Sequence, residues 1–138
     1  MDIKILATDL DSNVLAKGRE GAYSLDRIER LSIERKKRFF ERSTRDVDVV
    51  KVKPLVRELI TFNRLNLLDE WPIKNQFDII FCRNVVIYFN RPTQQVLFDR
   101  FADKLVNGGY LFIGHSENLY NITQRFKLLG KTIYQKVE

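Results

Sequence analysis

A guanidinium, a carboxamide and a phenol are delivered together where the apolar run Phe77-Asp78-Ile79-Ile80-Phe81-Cys82 ends, as Arg83, Asn84 and Tyr88. Ligands of open α/β sheets bind beyond the carboxyl ends of the strands, so such a trio at a strand exit suits a binding site. It also suits a polar cap on a sheet edge. Asp9 ends a second candidate strand, where a carboxylate can accept the hydroxyls of a ribose, although Asp is equally common at strand ends because it makes turns. Asn66-Leu67 follows a third strand, and on residue type alone Asn66 is a polar exit residue.

Other residues invite chemistry and fail to support it. His115, Ser116 and Glu117 have the types of a hydrolytic triad, but adjacent residues cannot face one another in a relay, and the flanks lack a Gly-x-Ser-x-Gly elbow. With one Cys and one His in the chain, no disulfide can form within it and metal catalysis is not expected. Cys82 reads as a small buried hydrophobe.

The elements that must position these groups alternate. Ile3 to Thr8 reads as a strand running into Asp9-Leu10-Asp11, and Asp11 or Ser12 can cap a helix from Asn13 to about Lys17, stopped by Gly18 and Gly21. A second helix is predicted from near Ser32 to about Arg42. Valines alternating with charges over Ser43 to Lys53 suit an exposed small hairpin. Thr61 to Leu67 reads as a half-buried strand and Phe77 to Cys82 as a fully buried one. Pro92 opens a helix carrying Leu97, Phe98, Phe101, Ala102 and Leu105, predicted to end at Gly108-Gly109. Tyr110 to Ile113 is a further buried strand, and Lys127 to Lys136 can supply a terminal pair. Strands alternating with helices predict an α/β fold.

The 138 residues, 44% hydrophobic and 12% aromatic, suffice for one folded domain. No apolar stretch approaches the roughly 18 residues that span a bilayer, and the start has no secretory pattern, so a cytoplasmic chain without membrane insertion is expected. The net charge of +6 is concentrated: residues 27–57 hold eleven Lys or Arg against five acids, and the remainder is balanced. Any electrostatic docking surface therefore belongs to this segment. Nucleic acid is not the expected partner, because Phe39 and Phe40 sit at helical positions suited to packing rather than stacking on bases.

The Phe77 to Phe89 run closely resembles the fourth-strand motif of CheR-type chemotaxis receptor methyltransferases, which use S-adenosylmethionine to methyl-esterify glutamate side chains. Ala7-Thr8-Asp9-Leu10-Asp11 looks like the family's second motif, and the likeness extends from Ile5 to about Lys136. The resemblance implies a Rossmann-like S-adenosylmethionine methyltransferase sheet, truncated, with a small inserted β-subdomain at about residues 43–53. It further implies that Asp9 binds the adenosine ribose, that Asn66 and Leu67 lie against the adenine, that Arg83 and Asn84 contact the cofactor, and that Tyr88 stands beside the transferred methyl. Gly114-His115-Ser116-Glu117-Asn118 is similar to a stretch near the family's active-site rim. The implied partner is the cytoplasmic domain of a chemotaxis receptor. Some members dock a receptor-tail peptide on the inserted subdomain; Arg42 matches one of its arginines and Lys51 stands where another is expected, but the family's Arg-Gly-Thr-Gly turn reads Arg42-Ser43-Thr44-Arg45 here.

Against the family pattern, the chain corresponds to the last half or so of a typical member. The N-terminal helical domain, the first strand with its Gly-rich loop, and an arginine used in catalysis have no counterpart. That strand lies at the sheet centre between the second and fourth, so without it two inner edges are expected to be bare. The expectation is a partial catalytic domain that works with a complementary N-terminal fragment. A non-catalytic receptor-docking adaptor, or a decayed fragment, is the alternative.

Overall fold

The computed structural model describes residues 2–114 and 122–138, which form two compact units dividing between Asn66 and Leu67. In the first unit, β1 (Ile5–Asp9) pairs in parallel with β5 (Ile60–Arg64), in register from Ile5 opposite Ile60 to Asp9 opposite Arg64. Between them in sequence lie α1 (Ser12–Glu20), β2 (Ala22–Ser24), a 3-10 turn (Leu25–Ile28), α2 (Ile33–Phe39), β3 (Phe40–Arg42), β4 (Val49–Val52) and the short α3 (Pro54–Arg57).

Helix α1 starts where Asp11 caps it, its carboxylate accepting the amide of Asn13 at 2.8 Å. It runs past the predicted stop at Gly18 and ends at Gly21, whose φ of 66° is the left-handed conformation that glycine adopts without a Cβ penalty. Gly18 serves packing instead. A Cβ there would lie 2.5 Å from the Phe62 ring, so the missing side chain lets the helix lie close against β5.

Helix α2 is also shorter than the apolar pattern suggests. Phe40 turns extended, and Phe40 to Arg42 become a strand because β4 offers them backbone partners. The segment expected to hold a whole hairpin thus contributes one strand, β4, at the centre of an antiparallel sheet ordered β2-β4-β3. Central placement also buries Val50, where an exposed hairpin was expected. The β3–β4 connection is held by side chains acting on backbone: Ser43 Oγ accepts the amide of Arg45 at 3.2 Å and Asp46 accepts that of Asp48 at 2.9 Å.

In the second unit β6 (Phe77–Cys82), α4 (Arg91–Lys104) and β7 (Leu105–Ile113) make a parallel strand pair with a helical crossover, and β9 (Ile133–Lys136) and β8 (Phe126–Gly130) extend the sheet antiparallel in the order β6-β7-β9-β8. Asn90 caps α4 through the amide of Thr93 at 3.0 Å, with Pro92 in the first turn. Leu97, Phe98, Phe101 and Ala102 are buried in one cluster with Cys82, Leu111, Ile113 and Tyr134.

Two expectations for this unit are corrected. Helix α4 ends at Lys104, where Leu105 turns extended and its carbonyl accepts Lys136 Nζ at 2.9 Å; Gly108 and Gly109 belong to β7. There they serve a register shift between β6 and β7, Gly108 with φ of 79° and Gly109 so close to β6 that a Cβ would stand 3.1 Å from the Asp78 carbonyl. Strand β6 is not buried on both faces either. It is an edge strand, and α4 covers only the face of Ile80 and Cys82, leaving Ile79 at 48% and Phe81 at 67% exposure. Phe81 stacks on Phe112 of β7 on that open face, ring centroids 4.6 Å apart.

Phe98 is 1% exposed at the centre of this core. Its replacement by Ala is expected to cost about 3–5 kcal/mol, read as an earlier urea midpoint by circular dichroism.

Candidate functional site

In the first unit the parallel pairing brings two candidates to one end. Asp9 is the last residue of β1 and Asn66 lies two residues beyond the end of β5, whose Arg64 is directly opposite Asp9. The exits are tied together: the Leu65 amide donates to the Asp9 carbonyl at 3.0 Å, and Arg64 Nε donates to the Leu10 carbonyl at 3.0 Å. Asp9 is exposed, and its Oδ1 accepts the amide of Asp11 at 2.9 Å. The carboxylate therefore makes the turn that residue type alone suggested. A carboxylate has about four acceptor positions, so this one bond leaves capacity for a diol.

In the second unit Arg83 and Asn84 follow Cys82 directly at the carboxyl end of β6, both exposed. Asn84 has φ of 60°, a left-handed conformation tolerated by few residues other than Gly, with Asn among them. That reversal swings the chain into a 3-10 turn, Val86–Tyr88, in which Val86 is buried at 1% and Tyr88 is 80% exposed. The buried valine anchors the turn and projects the phenol away from the core.

Sequence reasoning missed Gln94, which holds this turn. Its Nε2 donates to the carbonyls of Val86 at 2.7 Å and Phe89 at 3.2 Å, so the first turn of α4 ties down the segment bearing Tyr88. The available signal was an amide on the inner face of a helix whose other inner residues are apolar. Leu67 is half-buried against the core of this unit, and its carbonyl accepts Trp71 Nε1 and one Arg100 nitrogen, each at 3.0 Å.

Arg42 and Lys51 are brought into one small sheet but not onto one face. Arg42 pairs with Val50 and Glu41 with Lys51, and directly opposed residues share a face, so the two cations leave the sheet on opposite sides. The predicted rim residues His115, Ser116, Glu117 and Asn118 lie outside the described residues. Among the described residues no helix is long and apolar enough to cross a membrane.

Parallel strands joined through helices, with the polar candidates at the strands' carboxyl ends, make a Rossmann-like α/β fold. The family described as CheR methyltransferase, SAM binding domain, matches residues 1–135, and the chain belongs to that family. S-adenosylmethionine is accordingly its cofactor. The chain is 46% identical over 140 residues to a probable chemotaxis protein methyltransferase of Rhizobium etli, an alignment covering 97% of this chain and 51% of that protein. It is 41% identical over 134 residues to chemotaxis protein methyltransferase 2 of Pseudomonas aeruginosa, covering 96% and 48%, and 40% identical over 133 residues to the chemotaxis protein methyltransferase of Escherichia coli, covering 95% and 46%. The chain thus spans about half the length of these curated relatives.

The strain at Asn84 gives a direct test. Asn84→Gly should be about 1 kcal/mol more stable than Asn84→Ala in urea titration, because both lose the carboxamide and only the backbone preference separates the two replacements.

Proposed function

We propose that this chain is the cofactor-binding part of a methyltransferase that transfers a methyl group from S-adenosylmethionine to glutamate carboxylates of chemotaxis receptors. The observation that carries the reading is the exit of β6: Arg83, the left-handed Asn84 and the exposed Tyr88 follow one another on an anchored turn, in a chain that belongs to the CheR family.

The residues present fit the adenosine end of the cofactor. Asp9 is an exposed carboxylate with acceptor capacity at the end of a parallel strand, suited to the ribose diol, and Asn66 at the neighbouring exit, followed by Leu67, suits the adenine. At the exit of β6, Arg83 and Asn84 are suited to contact the cofactor and Tyr88 to align the transferred methyl. When bound, S-adenosylmethionine supplies an electrophilic methyl on a sulfonium. A glutamate carboxylate is already ionised near neutral pH, so the attacking oxygen needs no general base. Nucleophile and sulfonium carry opposite charges that partly cancel as the methyl moves, so these side chains act by positioning.

The chain acts in this reading together with a complementary segment, of the kind the longer relatives possess. Among the described residues each unit has a parallel strand paired on one side only, β1 in the first and β6 in the second, and an unpaired edge is a template for a further strand. The small antiparallel sheet β2-β4-β3 serves as the inserted receptor-docking subdomain. With Arg42 and Lys51 on opposite faces, each meets its own acidic contact.

Calorimetric titration with S-adenosylhomocysteine tests the core of the proposal, on the chain alone and with a family N-terminal segment added. Asp9→Ala should weaken binding by about tenfold or more, the loss expected when a charged acceptor of two hydroxyls is removed. Tyr88→Phe should lower the turnover of receptor-domain methylation far more than it changes cofactor affinity; equal losses would reduce Tyr88 to a prop for the pocket. Absence of binding under both conditions would replace catalysis with a receptor-docking adaptor role.

A further inference from the structure

Ten residues between β5 and β6, Leu67 to Gln76, form neither helix nor strand, yet the carbonyls of Leu67, Asp69 and Ile73 are taken up by side chains of α4. One terminal nitrogen of Arg100 donates to the carbonyls of both Leu67, at 3.0 Å, and Asp69, at 2.5 Å. Lys104 Nζ donates to the carbonyl of Ile73, and Gln76 Nε2 reaches back to the Asp103 carbonyl at 3.3 Å. Trp71 Nε1 supplies the second donor to the Leu67 carbonyl at 3.0 Å. The guanidinium carbon of Arg100 lies 5.8 Å from the Trp71 ring centroid, and that ring is 5.5 Å from Phe101, a core residue at 3% exposure.

A carbonyl oxygen has two lone pairs, and at Leu67 both are met by side chains anchored in the α4 core. The peptide plane that follows Leu67 cannot rotate without breaking a charged hydrogen bond and an indole hydrogen bond together. Charge-assisted bonds are about twice as strong as neutral ones, and Arg presents several donors in one rigid plane, so Arg100 sets the orientation more firmly than packing would.

We propose that Arg100, with Trp71, is a positioning pair that fixes the Leu67 peptide for adenosine binding. The inference rests on the reading of Asn66 and Leu67 as the adenine-contacting pair. Arg100 touches no reacting atom in this scheme. It acts on cofactor affinity through the backbone it holds.

Trp71 is the only tryptophan, so its emission reports on the pair in the full chain. Arg100→Met, which keeps the aliphatic stem and removes the donors, is expected to shift Trp71 emission to longer wavelength. It should also weaken S-adenosylhomocysteine and adenosine by a similar factor of about ten or more, measured well below the melting transition. Arg100→Lys, which keeps the charge and a donor but not the rigid fork, should restore only part of the affinity. A purely structural Arg100 would lower the melting temperature and leave both affinities of the folded protein unchanged, and that result would overturn the proposal, as would unaltered Trp71 emission in Arg100→Met. Asn66→Ala separates the two layers of inference: weakened binding there with normal binding in Arg100→Met refutes the positioning pair alone, and normal binding in both refutes the adenine reading on which it stands. No affinity in the unsubstituted chain, alone or with the family N-terminal segment, would overturn both.

Discussion

Burial of one face of α4 against the β6–β7 pair is the contact on which the second unit depends. Leu97, Phe98, Phe101 and Ala102 meet Cys82, Leu111 and Ile113 there, and full burial of each large apolar side chain contributes about 1.5–3 kcal/mol. The parallel strands need such a crossover, since no tight turn can join them. What is less obvious is how many polar tasks the same helix carries on its flanks. Gln94 holds the turn of Tyr88, Arg100 holds the carbonyls of Leu67 and Asp69, and Lys104 holds that of Ile73. Apolar packing fixes where α4 lies, and its polar flanks then fix the irregular segments around it.

Turns and exposed polar side chains coincide at the strand exits. Asp9 accepts the amide of Asp11 to reverse the chain, and Asp11 in turn caps α1. Asn84 takes the left-handed conformation that lets the chain leave β6 sharply. In both places a short polar side chain stabilises a bend that also exposes it at the carboxyl end of a parallel strand. Structural and functional readings of these residues are therefore compatible, because a carboxylate or amide has more hydrogen-bonding positions than a turn consumes.

The small antiparallel sheet shows a different economy of means. Its connecting segment lacks the glycines of the family's usual turn, and side chains of Ser43 and Asp46 bond the backbone there. Of the cations of residues 27–57, Arg42 and Lys51 lie on this sheet, while Arg35, Lys36, Lys37 and Arg38 lie on α2.

Element types and the strand-exit residues were legible in the chain itself: β1, β5, β6, Pro92 in the first turn of α4 and the apolar stripe of that helix follow from local patterns that depend on a few neighbouring residues. The partners of those elements were not. Gly18 reads as a helix stop until Phe62, distant in sequence, is seen against it; Gly108 and Gly109 read as a helix terminus until β6 is seen beside them. Valines alternating with charges read as an exposed hairpin until β2 and β3 flank them and bury Val50. The roles of Gln94 and Arg100 belong to the same class, since each acts on backbone carbonyls of another segment. Sequence alone determined which residues are apolar, charged or turn-forming, because those are properties of a side chain and its near neighbours. Only the tertiary structure decided which faces are covered, which glycines admit another chain and which carbonyls receive donors, because each of these is set by a residue far away in the chain.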